Sequence, residues 1–190
     1  NEYEEFGSFR FYDHYGPHFF SFSAGDSRFI FLDSTGKTPW QWQIRWLTDI
    51  LRADQSEHRF VFIGHPLFEP KEEFLLSDEE DFLQPETFRQ ALLSTFEQFD
   101  VDRVFSANIS VFSEHIEAGI PYVTTGGAGG LVLNQDDSFY HYVKVTVDTN
   151  DGISQQVVEL PVGQHPVLKQ LESFWFFIYS LFYTGFVNFF

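Results

Sequence analysis

Two short stretches carry the residue types from which a reactive centre could be assembled. Gly64-His65-Pro66 ends the run HRFVFIGHP, and Ala107-Asn108-Ile109-Ser110 follows the run VDRVFS. With Asp33 at the end of RFIFLD, the hydroxyl of Ser110 and the imidazole of His65 or His115 are the group types of a Ser/His/Asp relay. No nucleophile elbow and no oxyanion loop accompany them, so the relay is a weak reading. As metal ligands, the amide of Asn108 and the hydroxyl of Ser110 are poor replacements for imidazole with a borderline divalent ion. His115 lies five residues beyond Ser110 and reads as an isolated histidine rather than a ligand. Asn108-Ile109-Ser110 also matches the acceptor pattern for N-glycosylation, a short pattern with a high chance rate that matters only in a eukaryotic secretory setting. Carboxylate pairs for glycoside hydrolysis discriminate nothing here, because 28 acids guarantee that such pairs occur.

The elements that must position these residues follow from periodicity. HFFSFSA at 18–24 and RFIFLD at 28–33 flank AGDS and predict two antiparallel strands joined by a tight turn. WQWQIRWLTDILRAD predicts an amphipathic helix whose stripe is Trp42, Trp46 and Ile50 with Leu47 and Leu51. The continuous apolar core of 58–68 predicts a buried, parallel-type strand that delivers Gly64, His65 and Pro66 at its carboxyl end, where sites gather in layered α/β folds. EPKEEFLLSDEEDFLQPE, with eight acids, reads as a solvated loop without the ligand spacing of an EF-hand. A second helix, with Pro85 and Thr87 near its start, places Phe88, Leu92, Leu93, Phe96 and Phe99 on one side. VDRVFS is a strand. The glycines of GIPYVTTGGAGG lack a following Lys and a helix start, so a tight chain turn fits them better than a phosphate cradle. FYHYVKVTV and ISQQVVELPV, joined at NDG, predict a final hairpin.

The formal charge of −17 repels phosphates at long range and excludes nucleic acid and anionic lipid headgroups as partners of the acidic body. Without cysteine there is no disulfide, no thiolate catalysis and no zinc–thiolate site. The chain has no methionine, from which we expect that its initiator end lies upstream. Phe accounts for 26 of 190 residues and implies a core built on aromatic packing. The C-terminal 18 residues, SFWFFIYSLFYTGFVNFF, carry no charge and ten aromatic rings. As a helix they would extend about 27 Å at ~1.5 Å per residue, near the ~30 Å hydrocarbon thickness of a bilayer. They are read as a transmembrane helix anchored by Phe174, Trp175, Phe176, Phe177, Ile178, Leu181, Phe182, Phe186 and Val187. Ser180, Thr184 and Asn188, spaced by four, suit a helix-packing face in a membrane assembly; an aromatic helix docked on a partner or on the domain itself is the alternative.

The order of these pieces resembles the carboxyl-terminal half of the calcineurin-like metallophosphoesterases, in the branch with the purple acid phosphatase-like proteins. The likeness runs from about Phe6 to Leu160 and rests on FGSFRFYDHYGPHFFSFSAGDSRFIFLDS, WQWQIRWLTDIL, FVFIGHPLF, FDVDRVFSANISVF, and GIPYVTTGGAGG followed by FYHYVKVTVD. The resemblance implies an α/β fold, a two-sheet αββα sandwich with metal-binding loops at the strand ends. It also implies a two-metal clamp whose ligands come half from an upstream part and half from this one. Laid on the family's His-His-Pro and Gly-His-x-His motifs, this chain has Gly64 at the first ligand position and keeps only the neighbouring His65. Asn108 and Ser110 stand at the other two. All three implied ligand positions are lost.

The reading that follows has residues 1–165 as the metallophosphoesterase-like domain and 166–190 as the membrane helix. No catalytic residue, metal or cofactor is expected. The chain is read as a pseudoenzyme subunit of a membrane complex, in contact with other subunits and the bilayer, its domain on the extracytoplasmic side. The alternative is a metal-dependent phosphoesterase whose remaining ligands come from an upstream segment or another chain.

Overall fold

The structure, a computed structural model, describes residues 16–69, 82–128, 139–148 and 152–160, together with 171, 174, 175 and 177–179. Four strands and two helices open the fold: β1 (Phe20–Ala24), β2 (Ser27–Leu32), α1 (Trp40–Ala53), β3 (His58–Ile63), α2 (Glu86–Gln98) and β4 (Arg103–Ser106). β5 (Phe112–Glu117) and β6 (Ile120–Thr125) complete a six-stranded sheet of order β1-β2-β3-β4-β6-β5, and β7 (His141–Asp148) and β8 (Gly152–Glu159) form a two-stranded ribbon. β2, β3, β4 and β6 run parallel, while β1 and β5 are antiparallel edges. The β1–β2 turn consists of Gly25 and Asp26, with Gly25 at φ 57°, a value a side chain would resist.

Alternation along the parallel strands sorts two kinds of apolar side chain onto two faces. Ile30, Leu32, Val61, Ile63 and Val104 pack with Leu47 and Leu51 of α1 and Phe88, Leu92 and Phe96 of α2. Phe60, Phe105 and Val123 face the other way, against Val143, Val145 and Ile153 of the ribbon. On that side the rings form cross-strand ladders. Phe20, Phe31, Phe62 and Phe105 stack in succession at centroid separations of 4.7, 4.8 and 5.3 Å. Phe22, Phe29 and Phe60 make a second row at 5.2 and 5.6 Å. Such offset stacking adds about 0.5–1.5 kcal/mol per pair beyond burial. The stacked phenylalanines of β1 to β4 therefore line one sheet face. A cleft of about 660 Å³ lies between that face and the ribbon, bounded by Phe31, Phe62, Phe105, Tyr142 and Val145 and reaching Gly64 and Ala107 at the strand ends.

The layers described are helices, sheet and ribbon. The outer helical layer of an αββα sandwich is not among the described residues. Two local expectations are corrected. Leu47 and Leu51 of the expected α1 stripe are buried and Trp46 and Ile50 pack against the core, but Trp42 is 64% exposed and Gln43 takes the buried position beside it. Residues 112–125, to which no strand was assigned from the sequence, contain β5, β6 and a tight connection through Ala118 and Gly119. Among the described residues no helix is long and apolar enough to cross a membrane. Of the expected anchor, Phe174, Trp175, Phe177 and Ile178 are helical, the first three exposed. Phe176, Leu181, Phe182, Phe186 and Val187 lie outside the described residues, as does most of the acidic segment at 70–81.

Candidate functional site

Parallel register brings the carboxyl ends of β2, β3, β4 and β6 to one edge, and the loops leaving them hold nearly all the residues singled out above. At the end of β2, Gln43 reaches from α1, wholly buried, and binds the backbone of Asp33 twice. Its Oε1 accepts from Asp33 N at 2.9 Å and its Nε2 donates to Asp33 O at 2.8 Å. A buried amide so paired satisfies two backbone groups that would otherwise be costly at the end of a strand. The Asp33 carboxylate is engaged as well. Oδ1 accepts from Thr35 N at 2.8 Å and Thr35 Oγ1 at 2.6 Å, and Oδ2 accepts from Thr38 N at 3.1 Å. Burial pushes this carboxyl up, but the hydrogen bonds from Thr35 and Thr38 outweigh it and hold the group below its usual 3.8. Asp33 thus closes its own turn.

That turn presents Ser34 to the end of β3. Ser34 Oγ accepts from the backbone N–H of His65 at 3.1 Å and lies 2.7 Å from His65 Nδ1. If the hydroxyl donates to Nδ1, the proton of the neutral ring sits on Nε2 and no lone pair is left for a metal. If Nδ1–H donates to Ser34, Nε2 keeps one lone pair. The same hydroxyl closes the position beside it: a Cβ added at Gly64 would stand 2.6 Å from Ser34 Oγ. Gly64 O accepts from Ala107 N at 2.9 Å, which ties the β3 and β4 loops together.

Beyond Ala107 the chain makes two successive three-residue turns, Ile109 N to Ala107 O at 2.7 Å and Val111 N to Ile109 O at 2.9 Å, around Asn108 at φ 61°. Ile109 and Val111 are buried, Asn108 is exposed and Ser110 half-buried. The glycines after β6 press on this loop from the side. A Cβ at Gly126 would lie 1.8 Å from Ile109 O, and one at Gly127 would lie 2.3 Å from His141 Nδ1. They are sites of close approach rather than a phosphate cradle. His141, fully buried, is held between Phe139 O at 2.7 Å from Nδ1 and Thr125 Oγ1 at 3.1 Å from Nε2. The carbonyl is an acceptor only, which places the proton on Nδ1 and lets Nε2 accept from Thr125.

The structure therefore brings Gly64, His65 and the Asn108 loop to one edge, with Asp33 beside them. It does not bring His115 there. That ring stacks on Phe68 at 3.9 Å and lies 3.4 Å from Glu117, three residues along β5 from the strand ends. Among the described residues the expected relay of Ser110, His65 or His115 and Asp33 is not assembled, because Asp33 faces its own turn and His65 pairs with Ser34. Among the described residues no group of three or more His, Cys, Asp or Glu is placed to hold a metal. Sequence reasoning missed Ser34, Gln43 and His141. The position of Ser34, next after a strand-end Asp, was the available signal; a polar Gln and an isolated His in apolar surroundings offered none.

The six-stranded sheet, with two helices on one face and a ribbon on the other, is similar to part of the calcineurin-like metallophosphoesterase fold, as likeness to solved structures shows. Among the solved structures similar to it are GAP50, the anchor in the inner membrane complex of Plasmodium, and the purple acid phosphatase PPD1 from yellow lupin (Lupinus luteus) seeds. The first matches with a TM-score of 0.51 and 15% identity over 77% of this chain and 50% of its own. The second matches with a TM-score of 0.55 and 15% identity over 78% of this chain and 31% of its own. The chain thus spans half or less of the structures it resembles. No family model and no curated protein matches the sequence.

Two outcomes follow from this geometry. Gly64→Ala should destabilise the protein by roughly 1–3 kcal/mol, because Ser34 must turn away and release its bonds to His65. In a Ser34→Ala background the same change should cost about 1 kcal/mol less, a coupling that urea denaturation of the four proteins measures. Asp33, its folded pKa depressed, stabilises the fold fully above 3.8 and loses that contribution as pH falls through the lowered value. Acid titration of stability should accordingly show a shallower loss below pH 3.8 in Asp33→Asn than in the parent.

Proposed function

We propose that the chain is a non-catalytic metallophosphoesterase-like subunit that serves as a structural or interaction component of a membrane protein complex. The observation that carries this reading is the chemistry of the strand-end edge. Where the resembling family has imidazoles, this chain has Gly64, Asn108 and Ser110, and the one remaining ring, His65, is paired with Ser34. A glycine has no side-chain donor, and a neutral amide and a hydroxyl hold a borderline divalent ion weakly. One imidazole cannot hold two ions.

The likeness to GAP50 supports the membrane part of the reading, since that protein is the anchor in an inner membrane complex on the same fold. So do the exposed rings of Phe174, Trp175 and Phe177, on helical positions within the uncharged C-terminal segment. In this reading residues 1–165 are the domain and 166–190 the membrane-associated helix, the latter meeting lipid and other subunits. The domain lies on the extracytoplasmic side. Nucleic acid is no partner, given the charge of −17.

A second reading, a metal-dependent phosphoesterase completed by an upstream segment or another chain, draws on the tautomer of His65 that leaves Nε2 a lone pair, and on the likeness to the lupin phosphatase. Metal content and aryl phosphate turnover of the full-length protein separate the two. We expect no stoichiometric metal and no turnover, and the combined Gly64→His, Asn108→His, Ser110→His protein should remain inactive. Bound metal together with turnover in the unmodified protein would favour the phosphoesterase.

A further inference from the structure

We infer that Asn108 is an N-glycosylation site, an inference that rests on the extracytoplasmic placement proposed above. Of the five asparagines, at 1, 108, 134, 150 and 188, Asn108 alone has Ser or Thr two residues on, with a residue other than Pro between. The fold then presents that asparagine in the way a carrier of a bulky glycan requires. Asn108 is exposed at the crest of the loop, while Ile109 on one side of it is 5% exposed and Val111 is 1% exposed. The buried pair, the two tight turns and the bond from Gly126 N to Val111 O at 3.2 Å hold the loop from below. A branched sugar on the Asn108 amide therefore extends into solvent without disturbing what anchors the loop.

Asparagine tolerates positive φ, which offers a purely conformational reason for its presence at φ 61°. That reason is incomplete in this chain. Asp100 and Ala118 adopt φ 49° and 50°, so such positions here are not reserved for Asn or Gly. Nor does backbone conformation at 108 call for a hydroxyl at 110. The acceptor pattern explains both residues together.

The transfer takes a polyisoprenyl-diphosphate-linked oligosaccharide as donor. Nδ2 of Asn108 forms the bond to the anomeric carbon, the bond from that carbon to the diphosphate oxygen breaks, the lipid diphosphate leaves and Nδ2 loses one proton. The reaction acts on the extended chain, and the finished fold needs only to leave residue 108 outside. A glycan there stands beside Ala107 and Gly64, over the strand-end edge, and shields that edge from a phosphate ester.

The test uses protein isolated from its own cells, treated with a peptide-N-glycosidase in water enriched in heavy oxygen and read by peptide mass spectrometry. Glycosylation leaves a heavy-oxygen-tagged Asp at 108 and a faster-migrating band. Ser110→Thr should retain the modification, and Ser110→Ala and Asn108→Asp should each abolish it, with circular dichroism showing that all three fold. Recovery of Asn108 unmodified from the parent protein overturns the inference. Membrane fractionation of the same preparation keeps this apart from the proposed function: membrane-bound protein with unmodified Asn108 sinks the glycan alone. Glycosylated protein recovered without detergent supports the glycan and sinks the membrane reading.

Discussion

The bond pair between the Gln43 side chain and the Asp33 backbone is the constraint from which the strand-end edge follows. It docks α1 on the end of β2 and fixes where that strand stops. With the backbone of Asp33 held, its carboxylate gathers Thr35 and Thr38 into a turn, and the turn sets Ser34 against the amide and ring of His65. The position beside His65 is then filled by a hydroxyl, which is why glycine occupies it. Gln43 and Asp33 are buried and Ser34 and His65 half-buried, and each is paired with another protein group. Around Asp33 and His65 the polar groups thus converge on one another.

Much of this architecture was legible in the sequence because it rests on periodicity. The β1–β2 hairpin, α2 and the β7–β8 ribbon follow patterns of two or 3.6 and β3 a continuous apolar run, and the structure places them within a few residues of expectation. What escaped had physical causes. Trp42 outranks Gln43 on any hydrophobic scale, yet Gln43 is the buried residue because its amide finds two backbone partners, and Trp42 remains outside. β6 was obscured by Pro121, a residue that argues against a central strand. It is tolerated because pairing of β6 with β4 begins only at Tyr122.

The candidate site was legible as residue types and not as bonds. The coincidence of Gly64, His65 and the Asn108 loop at one edge follows from parallel strand ends and was implied by the family resemblance. The role of Ser34 was not, since nothing in a sequence marks a serine as the partner of a histidine 31 residues away. The same limit applies to Gly126 and Gly127, whose meaning is the closeness of Ile109 and His141, a tertiary fact. The phenylalanine ladders show a further economy. Sorting rings to one face and branched aliphatic chains to the other gives the sheet two dissimilar surfaces, one for helices and one for a β layer.

At the centre of the account stands the proposal that the strand-end edge has no affinity for a divalent ion. Titration of the full-length protein with Mn²⁺, followed by paramagnetic broadening of the backbone amide signals of Gly64, His65, Ala107 and Asn108, tests it directly. The account predicts no saturable broadening at these amides while the His65–Ser34 bond persists. Selective, saturable broadening centred on them at stoichiometric Mn²⁺ would contradict it.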